Sequence, residues 1–208
     1  MRLLALVAAT SAIALAACGN DRNESHADDA LDSQVCTKAD VGESFNHQTS
    51  GDFSPENLAD LGDRPETDRA SLRSMGMTTG HFVYWKDAAG KPPFEPPMDV
   101  VCQVMAFLSE GQARTFVAEL SAELAPAMVI GRLPVRGHEQ VTELTVPGGS
   151  ARVFSVSIAG DSADPLEVNI AFVADGRYVR VVAIGAPSTS VGSNTASALL
   201  ERVAARQR

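Results

Sequence analysis

The second half of the chain is built on a period of two. Apolar residues fall largely at alternate positions over four stretches: Glu139 to Val146, Ala151 to Ala159, Leu166 to Ala174 and Arg177 to Gly185. That period marks strands with one face on a core. Turn residues separate them at Pro147-Gly148-Gly149, at Asp161 to Pro165 and at Asp175-Gly176. Asp-Gly is a strong signal for a type I′ hairpin, because both central residues need positive φ. Centring the turn there places Phe172 opposite Val179, Ile170 opposite Val181 and Val168 opposite Ala183, with Leu166 on the same core face. The opposite face carries Asn169, Ala171, Arg180 and Val182 and is more polar.

Two more strands precede this meander. His81-Phe82-Val83-Tyr84-Trp85 is rich in β-branched and aromatic residues. Met98 to Leu108 is apolar on both faces and is expected at the centre of a sheet. Between them, Asp87 to Pro97 holds four prolines, which deny a ladder its donors, so an extended exposed loop joins the pair.

The helix period appears twice. Ser109-Glu110-Gly111-Gln112 reads as a capping box. Ala113, Phe116, Val117, Leu120 and Leu124 then follow at spacings of three and four up to Ala125, and Pro126 ends the run. From about Ser193 to Arg206, Ala196, Leu199, Leu200 and Val203 form a second stripe, with arginines at the negative end. Residues 36 to 66 predict short helices and loops. Thr37 caps one turn; Ser54 caps another, with Pro55 at its first position and Gly62 at its stop. Residues 63 to 74 are charged and carry no clear period. The expected fold class is α+β: a mostly antiparallel sheet with the two principal helices packed on one face.

Of 208 residues, 45% are hydrophobic and 21% charged, enough for a packed core. The formal charge of −9 argues against nucleic acid as a partner, since phosphate contacts need a basic surface.

The first residues stand apart from this pattern. Met1-Arg2 is a positive start, and Leu3 to Leu15 is an apolar run too short to span a bilayer as a stable helix. It ends in Leu15-Ala16-Ala17-Cys18. This segment resembles the lipobox of bacterial lipoproteins. The resemblance implies a diacylglycerol thioether on Cys18 Sγ and cleavage between Ala17 and Cys18. An ordinary secretory signal would instead leave Cys18 as a free thiol, a liability outside the cell. Acyl chains bury roughly 0.8 kcal/mol per CH2, so two or three anchor stably. Gly19 in place of aspartate implies, by the family's sorting rule, the periplasmic side of the outer membrane in a Gram-negative cell. Residues 19 to 34 have almost no apolar content and five acids, so they read as a disordered tether. The chain thus divides into a signal peptide (1–17), an anchor and tether (18–34) and one globular domain (35–208).

Once Cys18 carries lipid, Cys36 and Cys102 remain. In an oxidising compartment a disulfide is the default, and two buried thiols the alternative. The bond would close a loop of about 66 residues, worth roughly 4 kcal/mol in the chain-entropy model, and would staple the start of the domain onto a central strand.

The passage from Phe107 through Ser109-Glu110-Gly111-Gln112 to Phe116, and the strand Tyr178 to Gly185 leading to a final arginine-ended helix, are similar to patterns in bacterial envelope lipoproteins and in extracellular sensor domains of membrane-anchored kinases. A PsbP-like sandwich is a related resemblance. These motifs are core patterns, so they imply a fold and carry no functional residue across.

Catalytic motifs are missing from the sequence. It has no Gly-x-Ser-x-Gly elbow, no Walker A or dinucleotide fingerprint, and no zinc spacing among histidines 26, 47, 81 and 138. No catalytic residue, metal or cofactor is assigned. His138 and Glu139 with Glu143 alternate across a strand, which suits a charged edge better than acid–base work. His81 with Tyr84 and Trp85 reads as strand packing. The segment Pro92, Pro93, Phe94, Pro96 and Pro97 is stiffened by its prolines and is the candidate for docking a protein partner. The functional expectation is a lipid-anchored envelope protein with a non-enzymatic binding domain. The alternative is a small-molecule or lipid carrier with an apolar pocket between sheet and helices.

Overall fold

In the computed structural model, seven strands form one antiparallel sheet. The structure describes residues 29–61, 65–87, 99–120, 140–146, 149–158, 166–187, 198, 199 and 202. In chain order the strands are β1 (Phe45–Phe53), β2 (Met77–Asp87), β3 (Asp99–Phe107), β4 (Gln140–Val146), β5 (Gly149–Ile158), β6 (Leu166–Asp175) and β7 (Tyr178–Pro187). Their order across the sheet is β1-β2-β3-β7-β6-β5-β4. Among the described residues the bounded helices are α1 (Asp29–Asp32), α2 (Lys38–Val41), α3 (Pro55–Ala59), α4 (Pro65–Ser74) and α5 (Glu110–Glu119). The fold class is α+β, as the periodicities require. Two hairpin-built halves meet where β3 pairs with β7.

β3 is the central strand anticipated from its composition: all nine of its residues are buried. Both faces of the sheet are therefore covered. On the first face, Ala113, Phe116 and Val117 of α5 pack with Phe154, Ile170, Phe172 and Val181, joined by Leu58 and Leu72 of α3 and α4. Burying one such phenylalanine contributes about 1.5–3 kcal/mol. On the second face, Val83, Trp85, Cys102, Val104, Val153, Ala171 and Val182 pack with Leu31, Val35 and Cys36 from the N-terminal segment and with Leu199. The two-helices-on-one-face arrangement thus gives way to a two-sided one. Leu199, from the expected last helix, shares the core opposite α5.

Other boundaries also move. Leu31, which falls in the expected tether, is buried on α1. α5 ends at Glu119 rather than Ala125: Leu120 turns to φ −55°, ψ 120°, outside the helical region. Residues 121–125 lie outside those described. The Ser109 cap forms, with its hydroxyl accepting from the Gln112 amide at 3.3 Å and donating to Gln112 Oε1 at 3.0 Å. Ser54 and Asn57 cap α3 reciprocally, and Pro55 opens it.

The β6–β7 turn sits on Gly176 and Arg177, with Asp175 opposite Tyr178. Gly176 takes φ +56°, the left-handed value a glycine adopts freely. Phe172 consequently faces Val181 and Ile170 faces Ala183, two places from the expected register. A slip of two preserves the face of every side chain, so the expected core face holds.

Candidate functional site

The more polar face of the β6–β7 hairpin is buried in the fold, and its polar groups gather in a transverse row. Asp52 pairs with His81, His81 with Val104, Val104 with Arg180, and Arg180 with Val173. Cross-strand partners share a face, so a histidine and an arginine flank Val104 on the central strand. Both are buried, His81 at 8% and Arg180 at 4% exposure. A buried charge needs partners.

Those partners come from the neighbouring strands and from an N-terminal strap, residues 31–36. At one end of the row, His81 Nδ1 lies 2.5 Å from Asp52 Oδ1 and Nε2 lies 3.3 Å from Asp32 Oδ1. At the other end, Arg180 Nη1 lies 2.8 Å from Asp175 Oδ2, and Nη2 donates to Gln34 Oε1 at 3.4 Å. The strap's next turn is fixed covalently. Cys36 is bonded to Cys102 of β3, with the two Cα atoms 5.7 Å apart. Leu31 and Val35 of the same segment are buried against the second face. Asp40 then closes α2 by accepting from the amide and hydroxyl of Thr37, both at 2.7 Å.

Beside Arg180 the strap and the β6–β7 turn leave a cleft of about 580 Å³. Ser33 and Gln34 form one wall; Asp175, Gly176, Arg177 and Tyr178 form the other. Arg177 is exposed and its guanidinium lies over the Tyr178 ring, 5.2 Å from the centroid. This wall combines a stacking surface, a cation and a carboxylate, which suits recognition of a polar group.

A second polar cluster lies at the opposite end of the sheet, where β2 ends and β3 begins. The Tyr84 hydroxyl donates to Asp99 Oδ1 at 2.8 Å. Burial pushes the Asp99 carboxyl above its ordinary range, while the Tyr84 bond and the Lys86 charge pull it back. Asp87 is buried at the end of β2. Asp87 and Asp99 stand where β2 ends and β3 begins, on either side of the proline-rich connection.

Of the residues singled out in the sequence, Cys18, Pro92, Pro93, Phe94, Pro96 and Pro97 lie outside the described residues, as do His138 and Glu139. Glu143 stands on β4 at the register position opposite Arg152. His81 and Trp85 do lie on a different face from Tyr84, as strand alternation requires. Trp85 meets His47 edge-on, with ring centroids 5.4 Å apart. The tertiary structure adds what the sequence reading missed: Asp32, Asp52, Gln34 and Asp175 as partners of His81 and Arg180. Asp52 sits on a strand that went unrecognised, and Asp32 and Gln34 sit in what read as tether. A lone leucine and valine framing that segment were the available signal.

In fold the chain is similar to the crystal structure of the extracellular domain of PknH from Mycobacterium tuberculosis. The superposition has a TM-score of 0.52 at 14% sequence identity and covers 88% of this chain and 98% of that one. No family model matches the sequence, and no curated protein matches it.

Proposed function

We propose that this chain is an exported envelope protein, anchored by lipid on Cys18, whose α+β domain binds a partner rather than catalysing a reaction. The likeness to an extracellular domain across nearly all of that domain's length carries the exported part of this reading. Support comes from the Cys36–Cys102 disulfide, which belongs to oxidising compartments. The Leu15-Ala16-Ala17-Cys18 segment supports the anchor. Recognition of a protein partner is assigned to the proline-rich segment around Phe94, rooted at Asp87 and Asp99.

Intact-mass measurement and membrane fractionation test the anchor. The wild type gains the mass of a diacylglycerol and sediments with membranes, and Cys18→Ala does neither. An unmodified, soluble wild type refutes it. Deleting residues 92–97 tests the docking segment. Partner recovery on affinity purification is lost while the melting temperature stays nearly unchanged. Undiminished recovery refutes the assignment.

A further inference from the structure

We propose that Asp32, His81 and Asp52 form a protonation-dependent clasp that fastens the N-terminal strap to the sheet and releases it when His81 loses its charge. A carboxylate faces each ring nitrogen, Asp52 at Nδ1 and Asp32 at Nε2. A neutral imidazole has one N–H and one lone pair. It donates to one carboxylate and turns the lone pair toward the other. The protonated ring keeps its bond to Asp52 and gains a charge that draws in Asp32, which stands beside Nε2 as an ion-pair neighbour without a hydrogen bond.

Nε2 is buried and makes no hydrogen bond, so its link to Asp32, 3.3 Å away and 73% exposed, is electrostatic alone and depends on the charge of the ring. Charged neighbours on this face set the sign. From β1 comes Asp52, from α1 Asp32, and from β7, beyond Val104, Arg180, which is itself engaged by Asp175. The neighbours of His81 along its own strand face, Thr79 and Val83, carry no charge. The two charged groups paired with the ring are both acids, so the clasp closes with the proton on and opens with it off.

What opens is limited by the disulfide. Cys36 stays on Cys102, and Gln34 is bonded to Arg180, so loss of the His81 charge loosens only the segment ahead of the disulfide. Once the Gln34–Arg180 bond has also parted, residues 29–35 extend. At about 3.3–3.6 Å per extended residue this adds about 23–25 Å of reach. Release also uncovers Leu31 and Val35 and removes the strap wall of the Arg180 cleft, formed by Ser33 and Gln34. The gain in reach at a membrane rests on the lipid anchor proposed above; the clasp itself does not.

Hydrogen exchange on the full chain in detergent tests the clasp. Protection factors, corrected for intrinsic rates, are compared at about pH 5.5 and about pH 8. Protection of the amides of residues 31–35 is expected to fall at least about tenfold at the higher pH, while β3 amides keep theirs. Asp32→Asn leaves the fold intact, because the Asp32 side chain is 73% exposed, and removes the pH step. A wild type without the step overturns the proposal. So does a step that persists in Asp32→Asn, or one shared by the β3 amides. An intact-mass spectrum of the same sample reports lipidation separately, so failure of the anchor and failure of the clasp are read apart.

Discussion

The guanidinium of Arg152, on β5, donates to the main-chain oxygen of Ala118 in the last turn of α5, 3.0 Å away. It also donates to the oxygens of Val117 and Leu120. The end of α5 leaves carbonyls without helical partners and carries the negative end of the helix dipole. A fixed cation from the sheet answers both, and it holds the helix on the first core face. Arg152→Met keeps the apolar stem and removes these bonds. It is expected to lower unfolding stability by about 1–2 kcal/mol, measured by urea denaturation, with unchanged far-ultraviolet dichroism at low denaturant.

Phe53 and Gly80 are cross-strand partners in the β1–β2 pair, and the Phe53 ring lies over the glycine. A Cβ on Gly80 would stand 2.3 Å from the ring. Gly80→Ala is expected to destabilise the domain by about 1–3 kcal/mol through this clash. Thermal unfolding of a double-mutant cycle with Phe53→Leu checks the cause. The alanine does less harm once the ring is gone, whereas equal harm in both backgrounds refutes it.

Asp99 gives a pH dependence of definite sign. Burial raises its folded-state pKa above the unfolded value, so the folded chain holds this proton more tightly. The resulting penalty is absent below the ordinary carboxylate range. It grows as pH rises from the unfolded to the raised value, and it is constant above that. Asn at this position still accepts the Tyr84 hydroxyl. Relative to wild type, Asp99→Asn is therefore expected to gain stability as pH rises from acid and then to level off. Urea midpoints across pH measure the difference; a gap that is flat, or that narrows with rising pH, contradicts it.

The Cys36–Cys102 bond closes a long loop and carries the strap. Replacing both cysteines by serine is expected to reduce stability by roughly 4 kcal/mol in the chain-entropy model. Equilibrium unfolding of the double variant against the oxidised wild type checks this. Protease cleavage within residues 29–35 is expected to rise with it, because the covalent hold on that segment is lost.

Legibility followed local contrast. The meander strands were readable because their apolar residues alternate, and the α5 start because Ser109 and Gln112 sit at capping distance in sequence. β1 was not readable. Its interior positions from Asn46 to Asp52 are exposed or half-buried, and only Phe45 and Phe53 at its ends are buried. An edge strand covered at its tips has no alternation to show. α4 escaped for a similar reason, since Leu72 is its only buried residue. The hairpin register slipped by two because Asp-Gly and Gly-Arg both offer a turn to the same glycine, and only the flanking pairs choose between them.

By itself, the sequence determined the kinds of element, the α+β class, the core face of the β6–β7 hairpin and the two cysteines available for a bridge. Each is decided by residues within a few positions of one another, or by counting. The tertiary structure alone decided the strand order, the covering of the second face and the partners of His81 and Arg180. Gln34 and Arg180 are 146 residues apart, and Asp32 and His81 lie on different elements. No local period encodes such pairs. They form because β3 meets β7 and leaves a second apolar face, which the N-terminal strap must cover, and a buried charge beneath a strap takes its counter-charge from whatever crosses it.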